Sequence, residues 1–186
     1  MHCDDRLVEI TCERDKVLID LIYAQAGNLT GRPIYATALC LLRREAVTCL
    51  NRAAELAAMC DLRLKILDAY RPPEAQERLW DCILDPRYVA KLEDGSNHSR
   101  GVAVDLTFVD LHGDELDMGT PFDAMEDLAH HFVPGLSPQV QRNRLMLLGI
   151  MTQAGFRYLD SEWWHYELPE ARSFPLLQDG RIICCE

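Results

Sequence analysis

The amino-acid sequence predicts an α+β domain, in which long helices are segregated from a small, mainly antiparallel sheet. Three observations lead to this fold class. Residues 36–60 repeat apolar side chains every three or four positions, as an amphipathic helix does. Residues 62–66 and 102–108 instead alternate along the chain with the period of a strand. The 186 residues are enough to bury a sizeable core, and we assign residues 1–186 to one domain.

The first half of the chain contains two of the predicted helices and one strand. The helix over residues 36–60 leads into the strand over residues 62–66, which Asp-Ala-Tyr-Arg at 68–71 closes. Pro72 and Pro73 force an extended exit, because a residue before proline avoids the helical region. Pro73, followed by acidic residues, then begins the second helix.

The second half begins with the strand over residues 102–108 and a turn over residues 110–114. A third helix runs from Ser137 to Ala154, opened by Ser137–Pro138 and ended before Gly155. Arg142 and Arg144 on this helix are expected on a solvated face. Residues 162–168 are rich in aromatic side chains, are stopped by Pro169 and predict another strand.

The charge of the chain excludes several classes of partner. Thirty acidic residues stand against 19 basic ones, which gives a formal net charge of −11. A phosphate backbone or an anionic membrane surface would repel such a protein, so we expect neither as a partner. The apolar stretches are also too short to span a bilayer.

The compartment follows from the N-terminus and the cysteines. Residues 1–5, Met-His-Cys-Asp-Asp, carry neither a basic segment nor a long apolar one, so no signal peptide is visible. The eight cysteines are scattered, Cys184 and Cys185 are adjacent, and no Cys-x-x-Cys pair occurs. We therefore expect reduced cysteines and a cytoplasmic protein.

Two motifs predict a metal site. His98 and Asp105 lie in the segment Ser-Asn-His-Ser-Arg-Gly-Val-Ala-Val-Asp, and His165 ends the segment Glu-Trp-Trp-His. Two histidines and an aspartate are ligands that zinc accepts, and three protein ligands leave a fourth position open for water, as in catalytic zinc sites. Glu162 can serve as the base that acts on that water. A lone strand histidine is usually only hydrogen-bonded, but the combination of both motifs favours the metal.

The spacing of these residues makes structural demands. His98 and Asp105 are seven positions apart, so a regular strand would point them to opposite faces. Gly101 can supply the bend that brings both to one metal. Glu162 and His165 are three positions apart, so Glu162 should approach the site only where the strand is twisted or irregular. Glu162 as a ligand, with another residue as base, is a less natural alternative.

Several ordered blocks carry a resemblance to a known family. They are Tyr23 with Thr30-Gly31, Asp68-Ala69-Tyr70-Arg71-Pro72, residues 96–101, Asp105-Leu106-Thr107, Met118-Gly119 with Phe122-Asp123, and residues 161–166. In these blocks the chain resembles the VanX-type D-alanyl-D-alanine dipeptidases, zinc enzymes of peptidase family M15D. The resemblance extends from about Tyr23 to His165.

The resemblance implies a role for each matching residue. His98, Asp105 and His165 fall where the family binds one zinc ion per chain, and Glu162 falls on the catalytic base. Arg71 falls on the arginine that stabilises the transition state. The remaining matches concern the substrate. Ser96 falls among the residues that hold the substrate carboxylate, and Asp123 falls on the acidic residue that receives the free ammonium. Tyr23 matches a tyrosine near the pocket.

The resemblance also implies the reaction, with some departures. The expected activity is hydrolysis of the free dipeptide D-alanyl-D-alanine to two D-alanines, and a homodimer is the expected assembly. The family has serine where this chain has Asn97, and the stretch between Pro86 and Ser96 is shorter here. Asp123 could alternatively belong to a solvated turn or cap a helix.

Two other functions stay open at this point. One is a D,D- or L,D-carboxypeptidase that trims peptidoglycan stem peptides, which would need export. The other is a non-catalytic zinc-stabilised binding module, as in the Hedgehog signalling domains, which share the family's fold. Glu162 and Arg71 argue against a purely binding role, because neither is needed to hold zinc.

Overall fold

The computed structural model describes residues 7–85, 89–177 and 182–183. Three of the sequence predictions concern residues outside these ranges. They are the N-terminal residues 1–5, the beginning of the shortened segment at Pro86, and the adjacent Cys184 and Cys185.

Eight strands and four α-helices are interspersed along the described residues. In order they are β1 (Leu7–Glu9), α1 (Cys12–Asp15), β2 (Leu18–Ile19), β3 (Leu41–Arg43), α2 (Arg44–Ala58), β4 (Arg63–Asp68), α3 (Pro73–Cys82), β5 (Ala103–Val109), α4 (Pro138–Ala154), β6 (Arg157–Leu159), β7 (Glu162–Glu167) and β8 (Ile182–Ile183). Short 3-10 helices lie at Ile22–Ala24, His98–Arg100, Asp127–Ala129 and Ala171–Ser173.

The described strands form two sheets. The larger has five strands in the order β2-β4-β5-β7-β6, and all its pairs are antiparallel except β2 with β4. The smaller has the order β3-β1-β8, with β1 antiparallel to β3 and parallel to β8. The prediction of mixed helices and mainly antiparallel strands is therefore confirmed, although two sheets replace the single small one.

The predicted helix over residues 36–60 is wrong in about its first third, because α2 begins only at Arg44. The preceding residues instead pair with β1, where Leu7 lies opposite Arg43, and the Ile10 amide donates to the Cys40 carbonyl. These hydrogen bonds to a distant strand override the local helical pattern. The other two predicted helices are confirmed as α3 and α4, and the Ser137 hydroxyl caps α4 by accepting from the Val140 amide.

The two longest helices cover one face of the five-stranded sheet. Leu50 of α2 and Leu147 of α4 belong to the same buried cluster as Leu106 and Phe108 of β5. Successive residues of a strand point to opposite faces. The even-numbered residues of β5 therefore face the helices, and Asp105 points to the opposite face.

The expectation of a solvated face on α4 holds for only one of its two arginines. Arg142 is exposed to solvent, whereas Arg144 is only 2% exposed. The Arg144 guanidinium lies under a loop that precedes α4 and donates to the carbonyls of Met118 and His130. The sequence prediction for Arg144 is wrong because loop carbonyls, rather than water, accept its hydrogen bonds.

The cysteines of the described residues are unpaired. Cys12, Cys40, Cys49, Cys60 and Cys82 are free thiols. None of the described helices is both long enough and apolar enough to cross a membrane.

Candidate metal centre and cleft

Three acidic and basic side chains form a row across the middle of the large sheet. Asp105 of β5 pairs with Asp68 of β4 on one side and with His165 of β7 on the other. Residues paired directly across antiparallel strands project from the same face, with Cβ atoms about 5 Å apart. The strand register therefore brings together residues that are 37 and 60 positions apart in the chain.

His98 joins this row through the irregular backbone that its spacing demands. It begins the 3-10 helix His98–Arg100, and Gly101 ends that helix in the left-handed conformation, with φ of 71°. The chain then enters β5 at Ala103. The prediction that His98 precedes a bend and that Asp105 lies on the strand after it is confirmed.

The three candidate ligands meet at one point. The His98 Nε2 atom lies 3.2 Å from His165 Nδ1 and 3.4 Å from Asp105 Oδ1, and the latter two atoms are 2.9 Å apart. Ligands bound at about 2.0–2.1 Å in a tetrahedral zinc site are about 3.3 Å apart. All three residues are buried. Their donor types and spacing thus fit a tetrahedral metal ion.

Further hydrogen bonds orient both imidazoles. His98 Nδ1 lies 2.7 Å from the Ala69 carbonyl, which leaves Nε2 directed at the candidate metal position. His165 Nε2 lies 3.2 Å from a Glu167 carboxylate oxygen, to which the Asn97 amide also donates at 2.7 Å. Such partners fix the tautomer of a metal-binding histidine and increase its basicity.

The ionisation of the ligands reflects their proximity. Burial would raise the pKa of Asp105, but the interactions with His98 and His165 lower it well below its usual range. Burial would lower the pKa of His165, but hydrogen bonds with Asp105 and Glu167 raise it to about 10. A metal ion binding here displaces protons from such a cluster.

Glu162 reaches the cluster because β7 is irregular. Tyr158 of β6 pairs with Tyr166, but the next residue, Leu159, pairs with Glu162, so residues 163–165 bulge out of this pairing. A Glu162 carboxylate oxygen consequently lies 3.9 Å from His165 Nδ1. Burial, reinforced by the charge of Asp105, raises the pKa of Glu162. A carboxylate with a raised pKa is suited to accept a proton near neutral pH.

Arg71 is held rigidly beside the cluster. Its Nε and Nη2 atoms donate to Asp68 Oδ2 at 3.2 and 2.7 Å, and Nη1 donates to Gln76 Oε1 at 3.0 Å. The Tyr35 hydroxyl donates to the other Asp68 oxygen. These contacts with described residues use three of the five guanidinium N–H groups. One N–H on each terminal nitrogen is left for a ligand in the cleft.

A cleft of about 390 Å³ opens in front of these residues. Glu162, Arg71 and the three candidate ligands line it together with Tyr23 and Asp123. The Arg71 guanidinium carbon lies 4.9 Å from the centre of the Tyr23 ring, and the Tyr23 hydroxyl donates to Asp123 at 2.8 Å. Tyr23 thus connects the arginine to the aspartate within one cavity.

Asp123 lies in a turn with φ of 62°, and no helix starts there, so the alternative of a helix cap is not supported. Burial, together with the charge of Asp105, raises the pKa of Asp123 to about 8. A cation entering the cleft would favour its charged form.

Ser96 is also brought into the cleft, where it is 6% exposed. Its hydroxyl oxygen accepts from the His98 amide at 3.2 Å, so the hydroxyl proton remains to be donated. All eight predicted site residues therefore line one cavity.

Sequence reasoning missed three supporting residues: Asp68, Gln76 and Glu167. Glu167 had a usable signal, because it follows His165 by two positions on the same strand and therefore shares its face. Asp68 also had one, since it ends a buried strand three residues before Arg71. Gln76 had none, because its contact depends on how α3 packs.

Comparison with known proteins agrees with this geometry. The family model Peptidase_M15, described as D-ala-D-ala dipeptidase, matches residues 6–184. A D-alanyl-D-alanine dipeptidase of Escherichia coli (strain K12) is 49% identical over 173 residues, which cover 93% of this chain and 90% of the relative. A D-alanyl-D-alanine dipeptidase of Enterococcus faecium is 34% identical, with 80% of this chain and 84% of the relative covered. The chain belongs to the M15 peptidase family of D-alanyl-D-alanine dipeptidases.

Proposed function

We propose that this protein hydrolyses the free dipeptide D-alanyl-D-alanine to two D-alanines, with zinc as its metal. The observation that carries the proposal is one cleft lined by a candidate metal triad, a buried glutamate, a fixed arginine and a separate aspartate. Its volume of about 390 Å³ suits a small molecule. The activity for which relatives up to 49% identical are named supports the same substrate.

We assign the metal to His98, Asp105 and His165. Imidazole nitrogen and carboxylate oxygen at tetrahedral spacing suit zinc, and one position stays open for substrate or water. A zinc ion held there supplies a Lewis acid that polarises the scissile carbonyl and lowers the pKa of water. Glu167 and Asn97 hold His165 in the orientation that this ligation needs.

Glu162 and Arg71 are the two side chains that act on the reacting atoms alongside the metal. Glu162 removes a proton from the attacking water and delivers a proton to the leaving amine, for which its raised pKa is suited. Negative charge grows on the carbonyl oxygen in the transition state. Arg71 lines the cleft, and its two remaining N–H groups stabilise that charge, an effect worth about 3–4 kcal/mol for a well-placed donor.

The two ends of the substrate are recognised separately. Asp123 pairs with the free ammonium, and the Tyr23 hydroxyl keeps the carboxylate in place. Ser96 donates its hydroxyl to the substrate carboxylate. An enzyme built this way requires both termini to be free, which separates a dipeptidase from a carboxypeptidase.

The first test is a hydrolysis assay of the zinc-loaded protein on D-Ala-D-Ala, L-Ala-L-Ala and N-acetyl-D-Ala-D-Ala, with a chelated control. We expect cleavage of free D-Ala-D-Ala alone, abolished by the chelator. Glu162→Gln should lower kcat by about 10²–10⁴-fold while it retains bound zinc, because only the proton acceptor is lost. Glu77→Gln on the exposed face of α3 is the matched control.

The remaining outcomes distinguish the alternatives. Cleavage of the acetylated substrate would contradict the role of a free amino end and favour a carboxypeptidase. Zinc binding without cleavage of any substrate would favour the binding module with a Hedgehog-like fold. The proposal also includes a single dipeptidase domain over residues 1–186, a cytoplasmic location and a homodimer, and gel filtration of the purified protein would test the last of these.

A further inference from the structure

The loop that carries Asp123 is anchored at both of its ends by a single buried side chain. This loop, residues 117–130, connects the β5 region to α4, and Asp123, Ala124 and Met125 line the cleft from it. The Arg144 guanidinium donates from Nε to the Met118 carbonyl at 2.7 Å and from Nη1 to the His130 carbonyl at 2.9 Å. One planar cation thus spans the base of the loop.

The neighbouring residue on α4 strengthens the first anchor. The Asn143 side-chain amide donates to the Asp117 carbonyl at 2.8 Å, and Gln139 donates to Asn143 from the preceding turn. Asn143 is 4% exposed and Arg144 is 2% exposed. Buried side chains that bind loop carbonyls remove the freedom of the loop to shift, since leaving those groups unpaired would be costly.

Two further contacts fix the middle of the loop to β7. The Trp163 indole donates to the Thr120 hydroxyl at 2.9 Å. Phe122 packs edge-on against Trp164, with ring centres 5.4 Å apart. Between these anchors Asp123 adopts a positive φ of 62°, which costs a residue other than glycine on the order of 1 kcal/mol. The contacts on either side of Asp123 offset this cost and hold the residue in place.

We propose that Arg144 and Asn143 are positioning residues that place Asp123 and thereby set the requirement for a free amino end. The inference rests on the proposed function, in which Asp123 pairs with the substrate ammonium. The metal triad and Glu162 lie on the sheet and on the His98 turn, whereas Asp123 depends on the loop. A displaced loop should therefore weaken substrate binding and leave the chemical step nearly intact.

The test compares Arg144→Lys and Asn143→Ala with Arg142→Ala. Lysine keeps the charge but cannot bond two carbonyls with a planar fork. Arg142 lies on the same helix and bonds Gln139 at its exposed surface, so it is the matched control. We expect Arg144→Lys and Asn143→Ala to raise KM for D-Ala-D-Ala about tenfold or more, with kcat changed by less than about threefold. Arg142→Ala should change neither.

A double-mutant cycle separates positioning from general weakening of the fold. In an Asp123→Asn background, Asn143→Ala should raise KM no further, because the group that it positions is already gone. Additive effects, or equal losses in kcat, would overturn the proposal. If circular dichroism shows that Arg144→Lys does not fold, Asn143→Ala carries the same test.

The failure of this inference is distinguishable from that of the proposed function. If Asp123→Asn leaves KM for D-Ala-D-Ala unchanged, the ammonium role is wrong, and the positioning proposal falls with it. If Asp123→Asn raises KM but Asn143→Ala and Arg144→Lys do not, only the positioning role is overturned.

Discussion

Glu167 lines the cleft and supports one of the candidate metal ligands. Its carboxylate accepts from His165 and from Asn97, so the three residues form a chain that ends at a candidate metal ligand. The Asn97 side chain reaches β7 through this hydrogen bond. Asparagine at position 97 is therefore compatible with an intact candidate metal centre.

This chain of contacts predicts an effect on metal affinity. Glu167→Ala should weaken zinc binding about 10–100-fold, because it removes the carboxylate that orients the imidazole. Asn97→Ala should have a smaller effect in the same direction. Competition with a chromogenic zinc chelator measures both, with the exposed Glu77→Ala as control. Wild-type affinity in Glu167→Ala would show that His165 is oriented by other contacts.

The buried carboxyl of Asp123 should lower the stability of the fold, although we propose that its charge is needed for activity. Its pKa is raised from 3.8 to about 8, so the folded state binds a proton that the unfolded state has lost. The carboxyl therefore reduces stability increasingly as pH rises from about 4 to about 8. Asp123→Asn should stabilise the metal-free protein, and its advantage should grow across that range and then level off.

Urea denaturation of the metal-free protein at a series of pH values measures this difference. The same variant should be impaired on free D-Ala-D-Ala, since the amide carries no charge for the ammonium. A stability difference that is constant between about pH 4 and pH 8 would mean that Asp123 does not titrate differently in the two states.

At the scale of elements, the turn between His98 and β5 makes two separate demands on residue 101. Gly101 has φ of 71°, and a Cβ atom placed there would lie 2.6 Å from the Leu7 side chain of β1. The turn therefore needs glycine both for its conformation and for the close approach of the smaller sheet.

A pair of glycine variants separates these two demands. Gly113 also has a positive φ, of 94°, but a Cβ atom added to it would meet no other atom within 4 Å. Gly113→Ala should lower the free energy of unfolding by about 1–2 kcal/mol, the cost of holding alanine in the left-handed conformation. Gly101→Ala should cost more, and it should also weaken zinc binding because His98 is displaced. Urea unfolding measures the first effect, and equal costs at both positions would refute the argument from the close approach.

At the scale of the whole molecule, long elements and the reactive motifs were predictable, and short strands were not. Periodicity identified most of α2, and it identified β4 and β5. Start and stop signals identified α3 and α4, and a run of aromatic residues stopped by Pro169 identified β7. The strands Leu7–Glu9, Leu18–Ile19 and Leu41–Arg43 are too short for a period and form through pairing with distant residues. The beginning of α2 was misplaced for the same reason.

The same distinction applies to the site. The combination of two motifs identified His98, Asp105 and His165 as candidate metal ligands, although neither motif alone is specific. The burial of Arg144 could not be inferred from its helix, since a charged side chain with this spacing usually faces water. Only the path of residues 117–130 over α4 explains why it does not.

The row of Asp68, Asp105 and His165 has an evolutionary consequence. Its spacing is set by backbone hydrogen bonds between adjacent strands, which lie about 4.8 Å apart whatever side chains they carry. Asp123, which we propose pairs with the amino end of the substrate, is by contrast carried on a loop. Mutations in that loop can therefore change which peptides are accepted while the reaction centre stays in place, so new specificities can arise without the catalyst being rebuilt.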